Sequence, residues 1–294
     1  MNKAKKINPF NAIIYILVGI FSLACLYPFL MVISGSLSTQ SDLINYGYRL
    51  IPKQVTTGAY KVLFENGSKI VNAYKVTIIV TVFGTFFSLL INSAIAFAIS
   101  RKDLKYKTLI NVIVLIPMLF TGGMVPWYIV CINVLHLKNT YLALIVPSLA
   151  NCWNIFLFRN YFYSVPNELY EAAKMDGSSD YRIYYMFVRL SAPVIATLGL
   201  FTSLGYWNDW WLGLMLTDDT KMQPLQLLLR SIISNLQMVT STNPTPELLQ
   251  LMMQIPADSI KMAMVIITIG PIVLIYPFVQ RFFVKGIMVG AVKG

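Results

Sequence analysis

The sequence is poor in charge, in histidine and in cysteine. Only 12% of its 294 residues are Asp, Glu, Lys or Arg, against about 25% in a soluble domain. That deficit excludes an ordinary water-soluble core. The single histidine, His136, has no partner motif, so a membrane-embedded hydrolase built on H-E-x-x-H is excluded. Cys25, Cys131 and Cys152 lack CxxC or other metal-ligand spacing. They fall in or beside apolar runs and read as small buried hydrophobes. No G-x-x-x-x-G-K-[ST] loop is present, and Glu65-Asn66-Gly67-Ser68-Lys69 lacks the upstream glycine. The chain therefore has no loop of its own to cradle ATP phosphates.

What is abundant is apolar surface. Hydrophobic residues make up 57% of the chain, and the mean hydropathy is +0.66. Several runs exceed the roughly 20 residues that cross a bilayer as a helix. The pattern predicts an all-α membrane protein with six transmembrane helices, near 11–37, 72–100, 108–132, 140–163, 191–216 and 259–283. Pro28, Pro117, Pro126, Pro147, Pro271 and Pro277 fall inside these runs. Neighbouring helices can resatisfy the backbone groups that proline frees, so the prolines point to kinked helices in a bundle.

The net charge is +11, yet no basic patch interleaved with aromatics exists on a soluble module, which argues against nucleic acid. The basic residues cluster at span ends. With the N-terminus inside, the inner segments hold Lys3, Lys5, Lys6, Arg101, Lys102, Lys105, Lys107 and the cations of 159–189 and 281–293. That is the larger share of the 23. The bias predicts a multi-pass membrane protein with both termini and the 164–190 loop in the cytoplasm. The run after Lys6 is too long for a signal-peptide core and reads as a retained first span. Two long outer loops follow, at 38–71 and 217–258. Residues 224–235 read as an amphipathic helix, lying on the outer membrane face or docking an extracellular partner. The expected organisation is 1–71 for the tail, first span and outer loop, 72–283 for the transmembrane domain, and 284–294 for a cytoplasmic tail.

The 164–190 loop is polar and helix-breaking between two apolar spans. Pro166 can open a helix, since its missing N–H would be unpaired there anyway. Glu168 and Glu171 then lie toward the positive end of the helix dipole. Ala172 and Ala173 favour helix with almost no side chain. Asp176-Gly177 reads as a stop, with Gly177 free to turn left-handed. Ser179 can cap a second helix, with Asp180 in its first turn. Two short helices joined by a glycine elbow result.

The combination Glu171-Ala172-Ala173-x-x-Asp176-Gly177 in an inner loop resembles the "EAA" coupling loop of ABC importer permeases. Tyr184 stands where that family usually has an aromatic. Arg189-Leu190-Ser191-Ala192-Pro193 departs from it, with one proline where the family commonly has two. Gly205-Tyr206-Trp207-Asn208-Asp209-Trp210-Trp211 resembles the W-N-[DE] stretch of carbohydrate-uptake permeases. The segment from Phe283 to Gly294 is similar to the end of MalG-type subunits, and Ile255 to Ala263 resembles the subgroup of LplC and YtcP, associated with complex oligosaccharides.

The resemblance implies a type I (MetI-like) importer fold and a non-catalytic permease of the bacterial plasma (inner) membrane. Its Glu171, Ala172, Ala173, Asp176, Gly177 and Tyr184 would meet a separate ATPase, and Gly290, Lys293 and Gly294 would reach the same subunits. It implies a heterodimer with a sister permease, two ATP-binding subunits that hold ATP and magnesium, an extracellular solute-binding protein and an oligosaccharide substrate. Polar groups in spans tend to face a cavity. Asn92, Asn151, Asn154, Asn208 and Asp209, with Trp207 and Trp210, are the candidate solute path. The competing roles are an interfacial aromatic belt for the tryptophans and helix-to-helix bonding for the asparagines. An importer of a peptide or amino acid stays open. An ion-coupled carrier would need ionisable residues in mid-span, and only Asp209 fits.

Overall fold

The computed structural model describes residues 9–65, 67–241 and 256–291, and these are almost wholly helical. The described parts of 1–68 and 231–272 form one compact unit, and those of 69–230 and 273–294 a second.

In the first unit, α1 (Pro9–Ser36) is apolar on every side, with Pro28 inside it. At 1.5 Å per residue its 28 residues exceed the roughly 30 Å hydrocarbon core. None of its most apolar 18-residue window is buried against the described chain. Cys25 is accordingly exposed, contrary to the expectation of a buried thiol, while Cys131 of the second unit is buried. Only the end of α1 is enclosed, at Ser34, Gly35 and Ser36. Thr39 caps α2 (Gln40–Tyr46) by accepting from the Asp42 amide. The helix α3 (Gly58–Glu65) follows, and the Tyr60 hydroxyl donates to Ser36 Oγ at 2.9 Å. The start of the last helix is pinned here. Ser259 Oγ donates to the Ser38 carbonyl at 2.7 Å, and Gln40 exchanges two bonds with Asp258.

In the second unit, α4 (Gly67–Ser100) is the central strut. Its buried face runs through Ala73, Val76, Thr77, Val80, Gly84, Ser88, Asn92, Ala96 and Ile99. The three- and four-residue spacing makes one stripe, and its small residues let other helices approach closely. Gly84 shows this directly. A Cβ built there would meet the Tyr206 ring at 2.7 Å. One apolar cluster gathers at Val76 and Val80, and another at Ala96, Phe97 and Ile99.

The third expected crossing is broken. The helix α5 (Lys107–Leu119) ends at extended Phe120, and α6 (Met124–Ile129) with its π-helical continuation Val130–Val134 turns away by 114°. Gly122-Gly123 makes the break, with Gly123 at φ +86°. The fourth is bent by 52° between α7 (Tyr141–Ile145), extended by a 3-10 turn to Ser148, and α8 (Cys152–Ser164). Asn151 Oδ1 caps α8 by accepting from the Asn154 amide at 3.0 Å. The 164–190 loop holds α9 (Asn167–Met175) and α10 (Asp180–Leu190). A 79° bend at Ser191 leads into α11 (Ala192–Trp207). The fifth crossing stops there, and Asn208-Asp209-Trp210 separates it from α12 (Trp211–Leu216). Asp209 Oδ1 accepts from the Trp211 and Leu212 amides at 2.7 and 3.1 Å, which starts α12.

The expected amphipathic helix exists as α13 (Leu225–Ser241). Its Leu225, Leu227 and Leu229 are buried, and the Leu225 amide donates to Thr77 Oγ1 at 2.8 Å. Its first turns therefore pack on the bundle. The last helix, α14, spans Ala257–Ala291.

Candidate functional site

The elbow at 167–190 is built by local chemistry. Pro166 stands at the N-cap of α9, with Glu168 in the first turn and Lys174 in the last, each at the end that suits its charge. Gly177 has φ +73°. Its amide donates to the Lys174 carbonyl at 3.0 Å, and the Ser178 amide reaches back to the Ala173 carbonyl at 3.0 Å. This pair of bonds is a Schellman stop. Ser179 is the N-cap of α10 in extended conformation, without the side-chain capping bond that its type allows. Lys174 Nζ bridges the two helices instead, 2.9 Å from Asp180 Oδ1, and that hydrogen bond first of all raises the lysine pKa.

The elbow's tip is open. Glu171, Ala172, Asp176 and Gly177 are exposed and Ala173 is half-buried. Met175 is 88% exposed and Tyr181 86%. Two large apolar side chains beside a small-residue helix face form a surface suited to being covered. Asn167 Nδ2 donates to Glu171 Oε1, which holds that carboxylate along the helix.

Tyr184 does not join the tip. It is half-buried, its hydroxyl lies 2.7 Å from Ser93 Oγ, and its ring packs at 5.6 Å on Phe97. Under the elbow, Phe187 and Ile183 of α10 join Phe158 and Phe162 of α8 and Phe97 of α4 in one cluster. Arg101 stacks against this cluster, and the Tyr170 hydroxyl donates to Asp103 Oδ2 at 3.0 Å. Burial lowers the Arg101 pKa from its ordinary value, while Tyr170 and Asp103 oppose the change. Burial first, then the bond to Asp103, raises that of Tyr170. Sequence patterning counted Arg101 only as an inner-side charge. Its place one helical turn after the aromatic Phe97 was the available signal.

A second feature is a polar cavity of about 290 Å³ midway along α4, lined by Ser88, Ser148, Asn151, Asn154, Phe201, Thr202, Gly205, Tyr206 and Asp209. Asn92 braces its wall. It is fully buried, donates to Ser88 Oγ and the Leu149 carbonyl at 2.9 and 3.1 Å, and accepts from the Asn151 amide at 3.0 Å. Asn154 Nδ2 donates to Thr202 Oγ1 at 3.1 Å.

Of the candidate path residues, Asn151, Asn154 and Asp209 line this cavity, whereas Trp207, Asn208 and Trp210 do not. Trp207 is buried, its ring 6.3 Å from that of Tyr74. Asn208 accepts from Gln226 Nε2 at 3.0 Å and donates to the Leu204 carbonyl. Trp210 carries the Arg230 guanidinium 3.7 Å from its ring centre. Asn208 and Trp210 thus tie α13 to the break before α12. Gly290 lies in the backbone of α14, and Lys293 and Gly294 lie outside the described residues.

Residues 84–289 match the model of a family described as the binding-protein-dependent transport system inner membrane component. The chain is 34% identical over 293 residues to the polygalacturonan/rhamnogalacturonan transport system permease protein YtcP of Bacillus subtilis (strain 168), covering 97% of this chain and 98% of that one. It is 35% identical over 300 residues to protein LplC of the same organism, covering 100% and 98%. Its fold matches a crystal structure of a bacterial ABC transporter involved in the import of the acidic polysaccharide alginate. That match has a TM-score of 0.79 and 26% identity, and covers 96% of this chain and 99% of that chain.

Proposed function

We infer the role of this chain from its family: it belongs to the inner membrane components of binding-protein-dependent transport systems. It is a multi-pass, non-catalytic permease of an ABC transporter, and such systems join a permease to an ATPase and a solute-binding protein. The finer reading is that its 164–190 loop lies in the cytoplasm and is gripped by a separate ATP-binding subunit. Closure of two such subunits on ATP moves α9 and α10, and the bundle alternates between outward and inward access. A sister permease completes the path, an outer binding protein delivers the solute, and both termini lie inside.

The observation that carries this reading is the exposed elbow. A Schellman-stopped helix presents Ala172 and Gly177 with Met175 and Tyr181 uncovered beside them. Buried Phe187 and half-buried Tyr184 root it in the bundle. A surface that is open at the tip and rigid at the base passes on a push.

The solute reading is an oligosaccharide, with uronic-acid chains first in line. It is supported by the names of YtcP and of the alginate importer, and by the cavity lined with Asn151, Asn154, Thr202 and Asp209. Amide and hydroxyl groups match sugar hydroxyls without demanding one charge. The direct test is disulfide or bifunctional cross-linking from Ala172→Cys to the ATPase, with uptake of galacturonate oligosaccharides by vesicles of the full assembly. An Ala172→Cys that reacts from the outer face, or never meets the ATPase, ends the coupling part. Uptake of peptides in place of sugars ends the solute part.

A further inference from the structure

We propose that Arg101 is the positioning residue that links the 164–190 loop to α4, its planar cation held by one ring from each of three helices. The inference rests on the reading of that loop as the ATPase contact. The Arg101 Cζ lies 4.9 Å from the ring centre of Phe97 on α4, 4.8 Å from Tyr170 on α9 and 4.5 Å from Phe187 on α10. Each helix of the elbow, and the strut behind them, contributes one aromatic face.

The fork is aimed by its own neighbour. Nε and Nη2 both donate to Ser100 Oγ, at 3.0 and 2.8 Å. That hydroxyl in turn donates to the Phe97 carbonyl at 2.7 Å. The guanidinium therefore cannot swing away from the end of α4 without breaking a chain of bonds. Among the described residues, Arg101 is in no ion pair. Asp103, the nearest acid in sequence, receives the Tyr170 hydroxyl instead.

This choice of partner has a mechanical meaning. A carboxylate holds arginine in one directional fork, whereas a ring face attracts the cation over a broad area. The rings beneath are themselves interlocked, with Phe97 and Phe187 at 5.4 Å, Phe162 and Phe187 at 6.0 Å, and Phe97 and Phe162 at 6.2 Å. A tilt of α9 and α10 slides rings over the guanidinium without losing it. The pull then reaches Ser100 and α4, whose stripe runs on to Asn92 and Ser88 at the polar cavity. A lysine ammonium, a compact point charge, would not replace a plane that meets three faces.

The test needs only the assembled complex with its ATPase, and a reporter in the cavity. Gly205 lines that cavity, and a Cβ added there meets nothing within 4 Å among the described residues, so Gly205→Cys has open space at its first side-chain atom. With the three native cysteines replaced by alanine, the alkylation rate of Gly205→Cys is read with and without ATP and vanadate. Arg101→Met keeps an unbranched apolar stem and removes the charge together with the guanidinium plane. It should cut the ATP-dependent change in rate at least about fivefold, with Arg101→Lys between it and the parent. Cross-linking of Ala172→Cys to the ATPase, measured in the same Arg101→Met protein, should persist.

An undiminished response in Arg101→Met overturns the proposal while leaving the coupling reading intact. Absence of the Ala172→Cys cross-link in the parent protein overturns both. If Arg101→Met does not assemble, Tyr170→Leu decides. It removes one ring of the three, so an unchanged rate response overturns the proposal and a partial loss supports it.

Discussion

Ser93 Oγ and Tyr184 Oη lie 2.7 Å apart, joining α4 to α10. Tyr184→Phe keeps the ring packed on Phe97 and loses this bond and the longer one from the hydroxyl to the Leu90 carbonyl at 3.4 Å, at a cost of about 1 kcal/mol. The expected result is a small drop in the melting temperature of the purified complex with ATP hydrolysis retained. Tyr184→Ala also loses the ring and should cost about 3 kcal/mol. Equal effects from the two substitutions would show that the hydroxyl, and not the ring, holds α10.

At Gly177 a side chain has room, since nothing lies within 4 Å of an added Cβ. Its φ of +73° is the constraint. Gly177→Ala should cost about 1–2 kcal/mol through backbone strain alone, and Gly177→Asn less, because asparagine visits this region more readily. Gly177→Pro cannot reach the angle and also deletes the amide that bonds Lys174. We expect uptake per ATP hydrolysed to be near normal for Asn, reduced for Ala and lost for Pro, at equal surface levels of protein.

Gly84 poses the opposite case. Its helix is regular, but a methyl group would press on the Tyr206 ring at 2.7–2.8 Å. The Tyr206 hydroxyl donates to the Ile145 carbonyl at 3.0 Å, so the ring cannot retreat freely. Gly84→Ala should destabilise by about 1–3 kcal/mol through overpacking. Thermal unfolding in detergent reads it, and a variant as stable as the parent would mean that the ring yields.

Asp209 does two jobs that substitution separates. Its Oδ1 starts α12 by accepting from the Trp211 and Leu212 amides, and its side chain lines the polar cavity. Asp209→Asn keeps an acceptor and should leave stability within about 0.5 kcal/mol, whereas Asp209→Ala loses about 1 kcal/mol of cap. If the cavity carries solute, Asp209→Asn changes uptake at unchanged thermal stability. Full uptake in that variant would confine Asp209 to capping.

Asn92 is fully buried and satisfied at both ends of its amide, by Ser88 and Leu149 on the nitrogen and by Asn151 on the oxygen. Asn92→Ala strands the Asn151 amide at the bend before α8, while the Leu149 carbonyl keeps the Ser88 hydroxyl at 2.9 Å. A loss of at least about 2 kcal/mol is expected. Calorimetry or a detergent melt checks it.

Some features were readable in the sequence and others were hidden, for physical reasons. Gly177, Ala172 and the charges of α9 obey local rules, so the elbow was visible without tertiary contacts. Hydropathy found the apolar runs, but it weighs composition and ignores direction. It could not show that Gly122-Gly123 turns α6 away from α5 by 114°, or that Asp209 restarts a helix. Trp207 and Asn208 stand together in sequence, yet one turns inward toward Tyr74 and the other meets Gln226. Adjacent residues on a helix end differ by about 100° in heading, so a tryptophan-asparagine cluster need not share one cavity. Arg101 was hidden for a related reason: two of its three rings, Tyr170 and Phe187, come from helices far along the chain.

The first helix, finally, touches little of its own described chain until Ser34. Side chains from Ile13 to Leu30 all stand exposed, so among the described residues no neighbouring shape dictates theirs, and hydrocarbon accepts any greasy outline. Evolution is then free to exchange leucine, isoleucine and phenylalanine along this stretch, provided that length and oiliness survive, while the glycine and its flanking serines at the far end stay under close steric scrutiny.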